Sequence, residues 1–167
     1  MRVKRENLFH LIEPMLPHVE KPSRYLNHEW GAVEEQEGPF HVCMVYADVY
    51  EVGQPNLGIA ILYNALNKAP RISCERAYLP WTDMAALMRK RNVPLLSLEG
   101  AAPLASFDVV GFTLAHEMIA TNIIETLDLA GIPKLSEERD EEDPLILNEY
   151  RRIFRKTVPF TLRSYAA

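Results

Sequence analysis

Short apolar runs alternate along the chain with segments of helical spacing. Five of these runs predict β-strands, because their length and their content of branched and aromatic residues suit a sheet covered on both faces. They lie at residues 41–47, 71–79, 95–98, 108–114 and 145–147. Strands separated by helices favour a parallel sheet with right-handed crossovers.

The segments between the strands carry helical periodicity. Residues 57–67 place Ile59, Leu62, Tyr63 and Leu66 on one stripe and predict a helix that ends before Pro70. Further helices are predicted at residues 7–16, 84–91 and 118–130. We expect Asp83 to cap the helix at residues 84–91 and Gly131 to end the helix at residues 118–130. Pro14 and Pro17 are expected to end the helix at residues 7–16.

These elements predict an α/β fold, a three-layer, doubly wound and mostly parallel sheet of the flavodoxin or Rossmann-like kind, with a helical N-terminal extension. We expect a pocket at the carboxyl ends of the first and fourth strands. We divide the chain into an N-terminal helix and arm (1–38), the α/β domain (39–147) and a basic C-terminal tail (148–167).

The composition is that of an ordinary soluble protein. The 167 residues are 48% hydrophobic and 25% charged, and no apolar run approaches the roughly 20 residues that span a bilayer. Without a secretory signal, a cytoplasmic location is expected, and Cys43 and Cys74 are predicted to be free buried thiols. A net charge of −5 makes a nucleic-acid partner unlikely.

The loop after the first predicted strand holds the main candidate site. Asp48, Tyr50, Gly53, Asn56 and Gly58 follow the apolar run at residues 42–47 and lead into the first helix of the sheet. Glycines there let the backbone approach a ligand, and we expect Gly53 at positive φ. Neither a P-loop nor a Gly-x-Gly-x-x-Gly motif is present. The alternative is that Asp48 and Gly53 only shape a turn.

The opposite wall of the pocket is expected from Thr113 and His116, at the end of the fourth predicted strand. His116 could contact a ligand or cap the next helix, and capping is the more common role for a polar residue at such a position. No Ser/His/Asp, Cys/His or paired-carboxylate arrangement indicates a catalytic site or a hydrolase.

The loop resembles a known cofactor motif. Asp48-x-Tyr50-x-x-Gly53 is similar to the Asp-x-His-x-x-Gly loop of cobalamin-binding domains, with tyrosine in the place of the cobalt-ligating histidine. Further blocks resemble the N-terminal region of a radical-SAM protein family whose members carry a cobalamin-binding-type domain ahead of an iron–sulfur barrel. These blocks are residues 21–26 with Glu29, 48–62, 80–87, 107–112 and 127–133.

The resemblance implies a sheet with the strand order 3-2-1-4-5 of cobalamin-binding-type domains. It also implies a domain that precedes a barrel using S-adenosylmethionine and a [4Fe–4S] cluster. This chain lacks the Cys-x-x-x-Cys-x-x-Cys triplet of such barrels, so we expect a truncated, non-catalytic relative. It implies a corrinoid bound without a histidine ligand, because the phenol of Tyr50 is a poor cobalt ligand. The alternative function is a ligand-free module for interaction or self-association, with a radical-SAM barrel or a second copy as partner.

The tail departs from the family pattern after residue 147, where a glycine-rich loop would be expected. Its residues Tyr150, Ile153, Phe154 and Val158 have rough helical spacing, with arginines between them. Three origins stay open at this point: a natural C-terminal helix, a shifted reading frame and an engineered chain end.

Overall fold

The computed structural model describes residues 3–27, 31–33, 38–114 and 119–148. Within these residues the core is a four-stranded, all-parallel sheet with the order β2-β1-β3-β4. The strands are β1 (Phe40–Tyr46), β2 (Ile72–Tyr78), β3 (Val109–Thr113) and β4 (Leu145–Asn148). Each agrees with a predicted strand to within one residue at either end.

Helices cover both faces of this sheet, as the predicted fold class requires. They are α1 (Phe9–Ile12), α2 (Tyr50–Gly53), α3 (Leu57–Lys68), α4 (Thr82–Arg91) and α5 (Ile119–Ala130). Tyr63 of α3 packs on one face, in a cluster with Val42 and Cys74. The larger core on the other face contains Met84 of α4, Ile123 of α5 and Cys43. The three-layer α/β architecture is therefore confirmed.

The predicted strand at residues 95–98 is wrong. This segment makes one isolated antiparallel bridge, Leu96 with Pro103, and runs beside β2 without joining the sheet. Leu98 N donates to the Arg76 carbonyl at 2.7 Å, and the Glu99 carboxylate accepts the Arg76 N–H at 2.7 Å. The Glu99 carboxylate thus accepts the hydrogen bond that the carbonyl group of a neighbouring strand would otherwise accept. The other four strands lie in the predicted order.

Two helix predictions also need correction. Trp81, not Asp83, stands at the cap position of α4, and the Asp83 carboxylate accepts the backbone N–H groups of Met84 and Glu20. The predicted helix at 7–16 is a single α-helical turn followed by a 3-10 helix at Glu13–His18. The prolines explain the change, because each removes a backbone N–H that a longer α-helix would use.

The two cysteines are free and buried, as predicted. They lie on neighbouring strands but in the separate clusters that cover the two sheet faces. Burial raises the pKa of Cys74 to about 12 and that of Cys43 well above its ordinary value. Both thiols are therefore protonated at neutral pH. No helix in the described ranges is long and apolar enough to cross a membrane.

Candidate functional site

Three aromatic and polar side chains mark the carboxyl ends of neighbouring strands. Tyr46 ends β1 and stands in register with Tyr78 of β2 and Thr113 of β3. Ligands of open α/β sheets bind at this edge, which is where the predicted site lies. Of the predicted opposite wall, Thr113 is half-buried here, whereas His116 lies outside the described residues.

Asp48 joins the two strands that enter this edge. Its carbonyl accepts the N–H of Leu79 at 3.0 Å, immediately beyond β2. Its carboxylate oxygen Oδ1 accepts the N–H of Val49 at 2.7 Å, at the start of the turn into α2. These hydrogen bonds give Asp48 a structural role in the turn, the alternative that the sequence left open.

Tyr50 and Gly53 pack against β2. The rings of Tyr50 and Tyr78 meet edge to face, with centroids 5.4 Å apart and an angle of 79°. Gly53 does not have positive φ, so the predicted turn conformation is wrong. Close packing requires glycine at this position instead, because a Cβ there would lie 2.6 Å from the Tyr78 ring and 2.9 Å from Tyr46 Cβ.

Asn56 and Gly58 form the start of α3. The Asn56 side-chain oxygen caps the helix by accepting the N–H of Ile59 at 3.1 Å. Gly58 is exposed in the first turn, and a Cβ on it would lie 3.1 Å from that same oxygen. Both residues therefore have local structural roles, and the ligand contacts predicted for them remain predictions.

A segment that the sequence placed in a block of the family resemblance, but not at the site, covers this edge. We call residues 19–25 the N-terminal arm. Arg24 Nε donates to both Glu51 carboxylate oxygens at 2.9 Å, and Lys21 Nζ shares one of them at 3.0 Å. The Arg24 guanidinium lies over the Trp81 ring, 5.2 Å from its centroid, and Tyr25 accepts the Trp81 N–H at 3.2 Å.

The charges of the arm are matched to Glu51. Burial acts to raise the pKa of Glu51, but hydrogen bonds from its own backbone N–H, from Lys21 and from Arg24 outweigh it and lower the pKa to about 2. Burial acts to lower the pKa of Arg24, and the Glu51 carboxylate reverses this, so that the pKa is raised. Glu51 and Arg24 are therefore both ionised at neutral pH.

A small cavity of about 50 Å³ lies between the arm and the sheet edge. Its wall is mostly apolar, with Arg24 as the charged contributor. Among its lining residues are Ile12, Arg24, Tyr25, Tyr50, Tyr78, Met84 and Leu95. Long-range pairing of Arg24 with Glu51 leaves no local sequence signal, which explains why the sequence did not indicate this cavity.

The residues at this edge, as arranged, do not fit a corrinoid. The Tyr50 ring is packed against Tyr78. The cavity beside it, of about 50 Å³, has room for only roughly three to five water molecules, since one water needs about 10–15 Å³. The described residues also contain no cluster of three or more His, Cys, Asp or Glu side chains that could hold a metal ion.

Comparison with known proteins gives the family. The model of the family described as "Radical SAM proteins, N-terminal" matches residues 58–154, which is more than half of the chain. It begins after the loop that resembles the cobalamin motif and extends past residue 148, where we expected the family pattern to stop.

One curated relative is an uncharacterized protein of Treponema pallidum (strain Nichols), 59% identical over 29 residues. That stretch covers 17% of this chain and 13% of the relative. No solved structure matches the chain. With a parallel α/β sheet and a family match over more than half its length, the chain belongs to the family of radical SAM proteins, N-terminal domain.

Proposed function

We propose that this chain is a non-catalytic accessory domain of a radical-SAM protein that associates through an exposed apolar face. We call this surface the α3 face and define it by Val52, Leu57, Ile61 and Leu62. Leu57 is 71% exposed and Ile61 is 57% exposed, and the other two are more than 40% exposed. This exposure is the observation that carries the proposal.

Apart from Lys68 in its last turn, α3 lacks the charges that a solvent-facing helix normally carries. No residue from Val52 to Asn67 is acidic, basic or histidine. Helices on the surface of soluble proteins usually present charged side chains on the side opposite the core. Contiguous exposed apolar surface without charge is typical of an interaction site.

We propose a second copy of the chain as the partner of this surface. Each copy carries a net charge of −5, so two copies repel each other over most of their surface. The uncharged α3 face allows a two-fold pairing in which the same residues meet on both sides. A helix of 12 residues is about 18 Å long, so we expect a small interface and a weak dimer.

Replacing Ile61 by lysine is expected to abolish self-association, because it places a charge at the centre of the α3 face and repeats it in both copies. The measurement is sedimentation equilibrium over a concentration series. Ile124→Lys is the matched control, since it makes the same substitution at a side chain of α5 that is 46% exposed and lies outside the α3 face. A wild-type protein that stays monomeric throughout, or an equal effect of both variants, would contradict the self-association.

The second candidate function is corrinoid binding without a histidine ligand. It is favoured by position, because Asp48 and Tyr50 directly follow β1 at the carboxyl edge of the sheet. It requires the N-terminal arm to move, since the arm covers that edge and the remaining cavity is about 50 Å³.

A visible-absorbance titration with hydroxocobalamin and methylcobalamin, followed by gel filtration, tests this candidate. We expect no retained corrinoid with the wild type. Glu51→Gln, which removes the charge that holds Lys21 and Arg24, serves as the variant with a released arm. Corrinoid that elutes with the wild-type protein would establish the second candidate. Retention by Glu51→Gln alone would show a corrinoid site that the arm closes.

A further inference from the structure

The cavity under the N-terminal arm combines an apolar wall with one buried cation. It lies where the arm meets the exits of β1 and β2, with Met84 and Leu95 among its apolar lining and Arg24 at its wall. The Arg24 side chain is only 10% exposed. A charged side chain buried to this degree normally has each of its donors paired.

Arg24 is only partly paired. Its Nε donates to both oxygens of Glu51, while its Nη1 is buried and has no hydrogen-bond acceptor among the residues that the structure describes. Glu51 is also shared with Lys21, so neither cation has a carboxylate to itself. The arm therefore retains an unused, strongly directional donor next to a cavity.

We infer that this cavity is a binding site for a short-chain monocarboxylate, with a carboxylate oxygen accepting a hydrogen bond from Arg24 Nη1 and the alkyl group lying against Met84 and Leu95. The volume of about 50 Å³ limits the ligand to a size near that of acetate or propionate.

Competing ligand classes fit less well. Phosphate and sulfate need several donors around them, whereas Arg24 is the charged side chain of this wall and the rest is largely apolar. A cation would face the guanidinium directly. A carboxylate oxygen can accept a charge-assisted hydrogen bond from Nη1, and its alkyl group matches the apolar neighbours. The cavity is too small to hold a corrinoid, so this site is distinct from the corrinoid candidate. The inference also does not depend on the proposed self-association.

The first test compares propionate with propionamide, which has the same shape and no charge, by isothermal titration of the wild-type chain. We expect saturable one-to-one binding of propionate and at least about tenfold weaker binding of propionamide, as loss of a charged hydrogen bond predicts. Ethylammonium is expected not to bind. Absent propionate binding, or equal affinities for the acid and the amide, would overturn the inference.

The second test separates the cavity from the docking of the arm. Arg24→Gln removes the donor, whereas Lys21→Gln removes the other cation on Glu51 without altering the cavity wall. We expect propionate affinity to fall at least about tenfold in Arg24→Gln and to stay near the wild-type value in Lys21→Gln. Equal losses in the two variants would show that propionate responds only to arm docking and would overturn the site. If Arg24→Gln fails to fold, the comparison of propionate with propionamide on the wild-type chain still tests the inference.

Discussion

Replacing Gly53 by alanine is expected to lower the free energy of unfolding by about 2 kcal/mol, the middle of the range for overpacked sites. The added Cβ would lie 2.6 Å from the Tyr78 ring and 2.9 Å from Tyr46 Cβ, so α2 or the end of β2 must shift. Helix propensity acts in the opposite direction, since alanine is favoured over glycine by up to about 1 kcal/mol in a helix interior. Packing is the larger effect, and the sign is therefore destabilising.

Thermal and urea unfolding monitored by circular dichroism measure this change. A loss of 2 kcal/mol corresponds to a fall in Tm of roughly 4–8 °C for a chain of this size. Gly58→Ala is the matched control, because Gly58 is exposed and its nearest neighbour is the Asn56 side chain at 3.1 Å. We expect a change of less than about 1 kcal/mol there. A Gly53→Ala protein as stable as the wild type would contradict the packing at the strand ends.

The four strands were predictable from local patterns, whereas their order came from the resemblance to cobalamin-binding-type domains. Each strand is an apolar run, and right-handed crossovers allow few arrangements of parallel strands joined by helices. The predicted stripe of α3 is confirmed in part: Ile59 and Tyr63 are buried against the sheet, whereas Leu62 is 42% exposed. These features depend on neighbours in sequence, which a single sequence displays.

The failed predictions depend on partners distant in sequence. The run at residues 95–98 has strand composition, yet Glu99 uses its carboxylate to bind the Arg76 N–H at the edge of β2. No period or propensity indicates that a side chain will replace a strand there. The prediction of a positive φ at Gly53 is wrong for a related reason. Glycine is needed there because of the Tyr78 ring, 25 positions away, and not because of the φ angle of Gly53 itself.

The position of the candidate site at the sheet edge was predictable, but the segment that covers it was not. Parallel strands put their carboxyl ends together, so the loop from Asp48 to Gly58 was correctly placed at that edge. The arm over the edge was not predictable, since Arg24 and Glu51 are brought together only by the fold. Whether Asp48, Tyr50 and Thr113 contact a ligand stays a prediction.

Separating the buried pair of Arg76 and Glu99 is expected to have the largest effect on stability. Their side chains are 8% and 3% exposed, and Arg76 Nε donates to Glu99 at 2.6 Å. Removing one partner leaves the other charge buried and unpaired, which typically costs about 3–5 kcal/mol. We therefore expect Arg76→Met and Glu99→Gln each to lose that amount, a large part of the roughly 5–15 kcal/mol that stabilises a domain.

The double variant Arg76→Met with Glu99→Gln separates loss of charge from loss of packing. It leaves no charged side chain at positions 76 and 99, and the glutamine oxygen can still accept the backbone N–H of residue 76 that Glu99 accepts in the wild type. We expect it to be more stable than either single variant by at least about 2 kcal/mol in urea unfolding, because coupled groups are not additive. It still loses the contact of the Arg76 guanidinium with the Tyr63 ring, 4.4 Å from the centroid, so full recovery is not expected.

The exposed pair of Arg89 and Glu125 provides the control, because the same substitutions there remove an ion pair whose side chains are 46% and 40% exposed. Exposed pairs contribute at most about 1 kcal/mol, so Arg89→Met and Glu125→Gln should change stability little. Losses at Arg76 and Glu99 no greater than those at the exposed pair would mean that water reaches the buried pair. The edge of β2 would then be open, and residues 95–99 would not substitute for the missing strand. A large loss in both single variants with recovery in the double variant would instead make this pair the feature that closes the sheet at β2.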